Sequence, residues 1–479
     1  MSSPSKNIFW LTLSRVISLI LLFLAYLLLT NYLGPYRYGQ FQFVLSFSAL
    51  FGVVIDFGVQ QYVIKKISED RSQAKKYFQN FLAVEVVLAA IVYSAMIIAA
   101  YLGHYDPIVF KAILVSGLGM AVFGLTYPFL TIMTVFYDMR RVAFLNFSAS
   151  AINAIIILIT IFVHGGIVML VTQQIIFALL AIVCYYNFVK KHIGSPEIAK
   201  GLKNADPKLI KSILKAALPF ALLVGFSTLY NRIDVVMITK ILGYAQTGLY
   251  TAAYKFYDLL AFFPAVVSYA LYPLFASLMA EGKTGEIRDI LQKYLRFMAA
   301  LALPIGMGGM LLSKQVIGIL SPEFSNAAPV LAILVWAPSI LFLYVVVNAL
   351  VISQLTKWAM AITGVNVIVN VVGNLILLPR IGIRGAAIMT IFSEFLQGIF
   401  YFYFVRTKIT NFKFFSLIWQ PVLATLVMGV VVWFVRDWSL FPAVGVGVVV
   451  YGLTLLLLRF FHKDDVAFIK TLLSRGTQS

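Results

Sequence analysis

Long apolar runs separated by short polar breaks occupy this chain from end to end. A run of roughly 20 apolar residues crosses the ~30 Å hydrocarbon layer as a helix. On that measure, helices are predicted near 9–32, 41–63, 78–102, 110–136, 143–163, 167–188, 216–240, 248–279, 291–312, 328–353, 358–378, 385–405, 417–435 and 441–460, fourteen in number. Some breaks are very short, such as His164-Gly165-Gly166 and Gln354 to Lys357, so the helices they join are expected to be antiparallel neighbours. The longest break, Lys190 to Lys215, is basic and contains Gly194-Ser195-Pro196 and Asp206-Pro207, both turn signals. The first run lacks a small-residue cleavage site after a short apolar core and reads as a retained helix, not a removed signal peptide.

Composition narrows the class. With 62% hydrophobic and 11% charged residues and a mean hydropathy of +0.95, the chain is expected to be an all-α polytopic membrane protein. Its net charge of +19 is largely topological. With the N-terminus in the cytoplasm, 26 Lys and Arg residues fall in cytoplasmic segments and 7 on the opposite side. The positive-inside rule then puts both termini in the cytoplasm of a cell-membrane protein, its basic loops against anionic lipid headgroups. The same scatter over short loops speaks against nucleic acid. The single cysteine, Cys184, has no internal disulfide partner.

The chain repeats itself. Leu33-Gly34 and Gly39 after the first helix, and Leu242-Gly243 and Gly248 after the seventh, share the pattern Leu-Gly-x4-Gly-x-aromatic at an offset of 209 residues. Asn153 and Gly165 are echoed by Asn370 and Gly382 at an offset of 217. The economical organisation is an N-terminal six-helix lobe (1–189), a cytoplasmic basic linker (190–215), a C-terminal six-helix lobe (216–405), and two further helices with a cytoplasmic tail (406–479). Parallel repeats are a standard transporter construction with the substrate site between the halves.

Candidate chemistry lies in the ionisable groups inside spans. Charge within a bilayer is expensive and normally faces a water-filled cavity or a partner charge. Arg15 sits about six residues into the first helix, roughly 9 Å deep at ~1.5 Å per residue. It can snorkel to headgroups or meet Asp56 across the first hairpin. Arg232 is more than halfway across the seventh helix, with Thr228 and Asn231 making a polar side. Asp234 is two residues on, roughly on the opposite face. Lys255 and Asp258, three apart, either neutralise each other or face a cavity together. Glu85 and Glu394 are mid-span acids, suited either to a coupling ion or to interhelical hydrogen bonds. Asn366, Asn370 and Asn374 form a stripe read chiefly as helix–helix glue. Arg15, Arg232 and Lys255 together would suit an anion.

An enzyme is disfavoured. The sequence has no P-loop, no HExxH and no Cys/His cluster, and its four histidines, His104, His164, His192 and His462, are widely separated. No metal or cofactor is expected. A membrane sugar polymerase or ligase should carry a sizeable outer loop, and no break is long enough.

The runs Arg15-Val-Ile-Ser18, Asn31 through Gly39, Asp56-Phe-Gly58, Lys65-Lys-Ile67 and Leu378 through Ala387 resemble the oligosaccharide flippases of the Wzx type. These belong to the multidrug, oligosaccharidyl-lipid and polysaccharide exporter superfamily. The resemblance implies two six-helix lobes forming a V around a central cavity that works by alternating access. It also implies a cationic cavity facing the diphosphate of a polyprenyl-linked oligosaccharide, a role that carries to Arg15 and Arg232 by position and less directly to Lys255. Asp56, Asp234 and Asp258 complete the set of candidate substrate-binding residues. Membrane lipids, and glycosyltransferases or a polymerase of the same pathway, are the expected partners of a monomer. An ion-coupled multidrug cation antiporter of the same superfamily is the alternative, and needs acids to dominate the cavity.

Overall fold

The computed structural model describes residues 4–136, 139–195, 205–354, 356–412 and 414–461, and helix is the regular secondary structure of all five stretches. Lipid offers the backbone no hydrogen-bond partners, so a spanning chain satisfies its amides within helices. Eleven stretches of these residues are long and apolar enough to cross a membrane; the first, Val16–Glu69, runs through both of the first two predicted helices. Large apolar side chains such as Phe162, Phe441 and Leu457 are more than four-fifths exposed, a surface made for acyl chains and not for water.

The described residues fall into two compact units, Met1–Thr239 and Lys240–Ser479. In the first, α1 (Pro4–Asp56) continues through the predicted break. It is interrupted only at Gly34, with Pro35 restarting the helix where its missing N–H and fixed φ do no harm. Then come α2 (Val59–Glu69), α3 (Ala74–Leu102), α4 (Pro107–Gly124) and α5 (Tyr127–Val135). The segment predicted as one helix over 110–136 is therefore two, broken at Leu125-Thr126. After α6 (Met139–Phe162) and α7 (Ile167–Val171), α8 (Gln173–Ile193) ends the unit's first run, and α9 (Pro207–Leu242) follows.

The start of α9 shows why a turn signal needs context. Asp206 accepts hydrogen bonds at Oδ1 from the N–H groups of Lys208 (3.0 Å) and Leu209 (3.2 Å), and Pro207 occupies the first turn. Asp-Pro here is a helix cap, and the helix begins at 207 where the hydropathy predicts 216. The cap is itself held: Asn80 Oδ1 of α3 accepts the Asp206 N–H at 2.7 Å. Further in, Ile213 and Ala217 of α9 join a core with Val63, Phe78, Phe129 and Phe188.

In the second unit, α10 (Tyr244–Ala280), α11 (Thr284–Leu311), α12 (Ser313–Ile317), α13 (Ala328–Leu334), α14 (Trp336–Gln354), α15 (Thr356–Ile381) and α16 (Ile383–Lys408) precede α17 (Phe414–Val435) and α18 (Leu440–Leu457). Their core gathers Phe275, Leu291, Leu295, Val347, Leu350 and Tyr401. The last helix and the residues after it are fastened to α11 by Tyr451, which donates to the Ala300 carbonyl at 2.7 Å, and by Arg296, whose guanidinium lies 4.5 Å over the Phe460 ring.

The repeat has a physical basis in its glycines. Gly34 (φ 66°, ψ 172°) and Gly243 (φ 85°, ψ 174°) hold nearly the same conformation at the offset of 209 residues. That region is essentially reserved for glycine, so each half turns from one span into the next with the same device.

Candidate functional site

The described side chains place the ionisable residues of the spans in three settings; the side chains of Arg15 and Asp56 lie outside the described residues.

The first setting is a polar, outward-facing stripe on α9. Ser227, Asn231 and Arg232 are exposed and Thr228 is half-buried. Asn231 Nδ2 caps the Ser227 carbonyl at 2.7 Å, which leaves Arg232 as the charged group of the stripe. Asp234, only 5% exposed, turns into the protein. Two residues are about 200° of helical rotation, and the expected separation of Arg232 and Asp234 onto different faces holds.

The second is a close pair. Lys255 Nζ and Asp258 Oδ2 are 3.5 Å apart on one face of α10, as their spacing predicts, and both remain partly exposed.

The third is buried acid. Glu85 is fully buried on α3, and its carboxylate lies against α4: a Cβ added to Gly124 would stand 3.2 Å from Oε2 and 2.3 Å from Ile55 Cγ2. Glu394, 2% exposed on α16, accepts hydrogen bonds from two phenols, Tyr257 of α10 at 3.2 Å and Tyr344 of α14. Gln397 Nε2 donates to Tyr344 Oη at 3.3 Å, and Asn366 Nδ2 of α15 donates to Gln397 Oε1 at 2.8 Å.

Two members of the asparagine stripe of α15, Asn366 and Asn370, bond to α16, and the third bonds within its own helix. Asn370 donates to Ser393 Oγ of α16 at 3.3 Å and Asn374 donates to Asn370 Oδ1 at 3.0 Å, all nearly or fully buried. Asn370→Leu is expected to lower the stability of the detergent-solubilised protein by about 0.6–1.7 kcal/mol, the range for single interhelical hydrogen bonds in membrane proteins. A thermal unfolding midpoint equal to wild type would show that the stripe carries no such load.

Tyr257, Tyr344 and Gln397 are the site residues that sequence reasoning missed. Glu394 and Gln397 are three apart and share a face, which signals a polar patch, but both tyrosines look like ordinary aromatic filler inside apolar runs.

An all-helical membrane protein with ionisable groups inside its spans is built as a transporter is built. The family model described as "Polysaccharide biosynthesis protein" matches residues 5–279, and the one described as "MatE" matches residues 219–376. The first match covers more than half of the 479 residues, and the chain belongs to the polysaccharide biosynthesis protein family. The Haloferax volcanii protein named probable low-salt glycan biosynthesis flippase Agl15 is 23% identical over 414 residues, 83% of each chain. An uncharacterised membrane protein of Methanocaldococcus jannaschii is 23% identical over 458 residues, 90% of each. Among solved structures, the inward closed form of the lipid II flippase MurJ superposes with a TM-score of 0.75 at 16% identity, covering 94% of this chain and 98% of that one. The likeness is one of fold.

Proposed function

We propose that the chain is a flippase that carries polyprenyl-diphosphate-linked oligosaccharide from the cytoplasmic to the outer leaflet by alternating access. It acts as a transporter and not as an enzyme. The observation that carries the reading is Arg232, an exposed guanidinium set among hydroxyl and amide groups deep within an apolar span. A guanidinium presents a fork of donors that matches two phosphate oxygens at once, the geometry a diphosphate headgroup offers. The flippase name of the Haloferax relative and the MurJ-like fold support the same reading.

In this reading both termini are cytoplasmic, and residues 406–479 supply two further helices beyond the lobes 1–189 and 216–405. Arg15 receives the headgroup on the cytoplasmic side and Arg232, with Lys255, holds it further out while the lipid tail stays in the bilayer. Asp56 and Asp258 balance those charges when no substrate is bound, while Asp234, on the other side of α9 from Arg232, turns into the protein. Neighbouring glycosyltransferases or a polymerase supply and consume the cargo.

The match of residues 219–376 to the MatE model favours one other reading, an ion-coupled antiporter of organic cations. Proteoliposomes separate the two. The flippase is expected to accelerate transbilayer movement of a fluorescent polyprenyl-diphosphate N-acetylglucosamine and to leave ethidium where it is. Ethidium efflux without movement of the lipid would replace the flippase with the antiporter.

A further inference from the structure

The substrate path proposed above makes no use of the buried carboxylate of the second unit. Glu394 lies in the middle of α16, 2% exposed; side chains of two other helices reach it directly and a third joins through Gln397. Tyr257 comes from α10 and Tyr344 from α14; Gln397, one turn along α16, and Asn366 of α15 extend the chain behind Tyr344. Tyr257 is 7% exposed, and Tyr344 and Asn366 1% each.

The chemistry of this set suits a proton. An ionised carboxylate only accepts hydrogen bonds, a protonated one donates one and still accepts, and a phenol hydroxyl can do either by rotating. Two phenols therefore satisfy the carboxyl in both of its forms. Tyr344 Oη also takes a bond from the Gln397 amide, so that oxygen keeps a partner when its own proton turns. A hard cation would ask instead for a shell of about six oxygen ligands.

The partners come from different helices, which ties the proton to the fold. A movement of α10 against α16 that parts Tyr257 from Glu394 changes the relative stability of the two carboxyl forms. By linkage, proton binding then biases the helix positions to the same extent. We propose that Glu394 is a proton-binding site, taking up one proton in one conformation and releasing it in another, so that a proton gradient biases transport. The inference rests on the transporter reading above; the reaction is carboxylate plus proton to carboxylic acid and needs no other reactant.

The other ionisable groups around Glu394 set the background against which it titrates. On α10 these are Tyr250, whose Oη lies 3.3 Å from Thr390 Oγ1 of α16, Tyr254, with its ring centroid 4.6 Å from that of Tyr257, and the Lys255–Asp258 pair. On α14 Tyr344 is the ionisable residue, and α13 has none. Lys357 and Arg380 stand at the two ends of α15. On α16 itself, Tyr401 places its ring 5.7 Å from that of Tyr344, while Tyr403 and the basic residues Arg384, Arg406 and Lys408 lie toward its ends.

Infrared difference spectroscopy of the full-length protein in lipid vesicles, stepped in pH, tests the assignment without any substrate. Wild type is expected to show a carboxylic acid carbonyl band that appears and disappears with pH, and Glu394→Gln, an amide of the same shape, is expected to lose it. Should that variant fail to fold, Tyr257→Phe serves: its band is expected at a shifted frequency, because one hydrogen bond to the carboxyl is gone. A titrating band identical in wild type and Glu394→Gln, or unmoved in Tyr257→Phe, overturns the proposal. A second arm adds an acid-outside gradient to the fluorescent polyprenyl-diphosphate N-acetylglucosamine assay. Several-fold acceleration is expected in wild type and none in Glu394→Gln; equal acceleration in both overturns the proposal. If the band titrates as expected but wild type moves no lipid at any pH, the flippase reading fails and the proton site stands.

Discussion

Arg232→Glu is expected to abolish movement of polyprenyl-diphosphate sugar in proteoliposomes, and Arg232→Ala to slow it by roughly 10- to 150-fold. The magnitude follows from the ~1.5–3 kcal/mol carried by a hydrogen bond to a charged group, at ~1.4 kcal/mol per tenfold. Reversal does worse than deletion because it sets a carboxylate against a diphosphate within the bilayer, where water screens neither. Arg232→Lys is expected to fall between alanine and wild type: the charge stays, the bidentate fork goes. The location of the side chain sets the control. Arg232 is exposed, so its removal leaves no cavity, and the unfolding free energy is expected to stay within about 0.5 kcal/mol of wild type. Near-normal movement of the lipid by Arg232→Ala would remove the residue from the substrate path. A large loss of stability would make it a structural residue instead.

The helices were legible because a spanning helix is written locally: every predicted run overlaps a described helix, since lipid leaves the backbone no other choice. The helix ends were less so. Tyr36, Arg37 and Gln40 look like a polar loop, yet all three continue the helix that Pro35 restarts, because hydropathy reports surroundings and not backbone conformation. Asp206-Pro207 reads equally well as a turn or a cap, and a contact with Asn80, 126 residues away, goes with the second. Of the candidate site, whatever depends on spacing along one helix could be read. Arg232 is exposed and Asp234 buried, and Lys255 lies beside Asp258. What depends on partners far along the chain could not. Glu394 meets Tyr257 across 137 residues and Tyr344 across 50, and nothing in either tyrosine's neighbourhood marks it as a hydrogen-bond donor to a carboxylate.

Gly58→Ala is expected to be the more damaging of two glycine replacements that look alike in sequence. Gly58 follows the end of α1 in a left-handed conformation (φ 66°, ψ 12°). A Cβ there would lie 2.6 Å from Phe220 Cβ, 2.8 Å from the Ala221 nitrogen and 3.0 Å from the Ala217 carbonyl oxygen, all on α9. Two of these are backbone atoms, which no rotamer change can move. The left-handed conformation costs a non-glycine residue roughly 1–2 kcal/mol, and overpacking a further ~1–3 kcal/mol. At Gly243 a Cβ meets nothing within 4 Å, so a side chain there is opposed by the backbone alone, in a different positive-φ region (φ 85°, ψ 174°) that costs a non-glycine residue roughly 1–3 kcal/mol. Gly243→Ala should therefore lower the thermal midpoint of the detergent-solubilised protein less than Gly58→Ala does. Gly58→Asn, which tolerates the left-handed region but still carries a Cβ, should remain clearly destabilised. If it behaves as wild type, the close approach to α9 carries no energy. The contact also matters to transport, because the helix it seats is the one that bears Arg232. Gly58→Ala should lose lipid movement together with stability, whereas Arg232→Ala should lose lipid movement alone; the pair separates holding the helix from holding the phosphate.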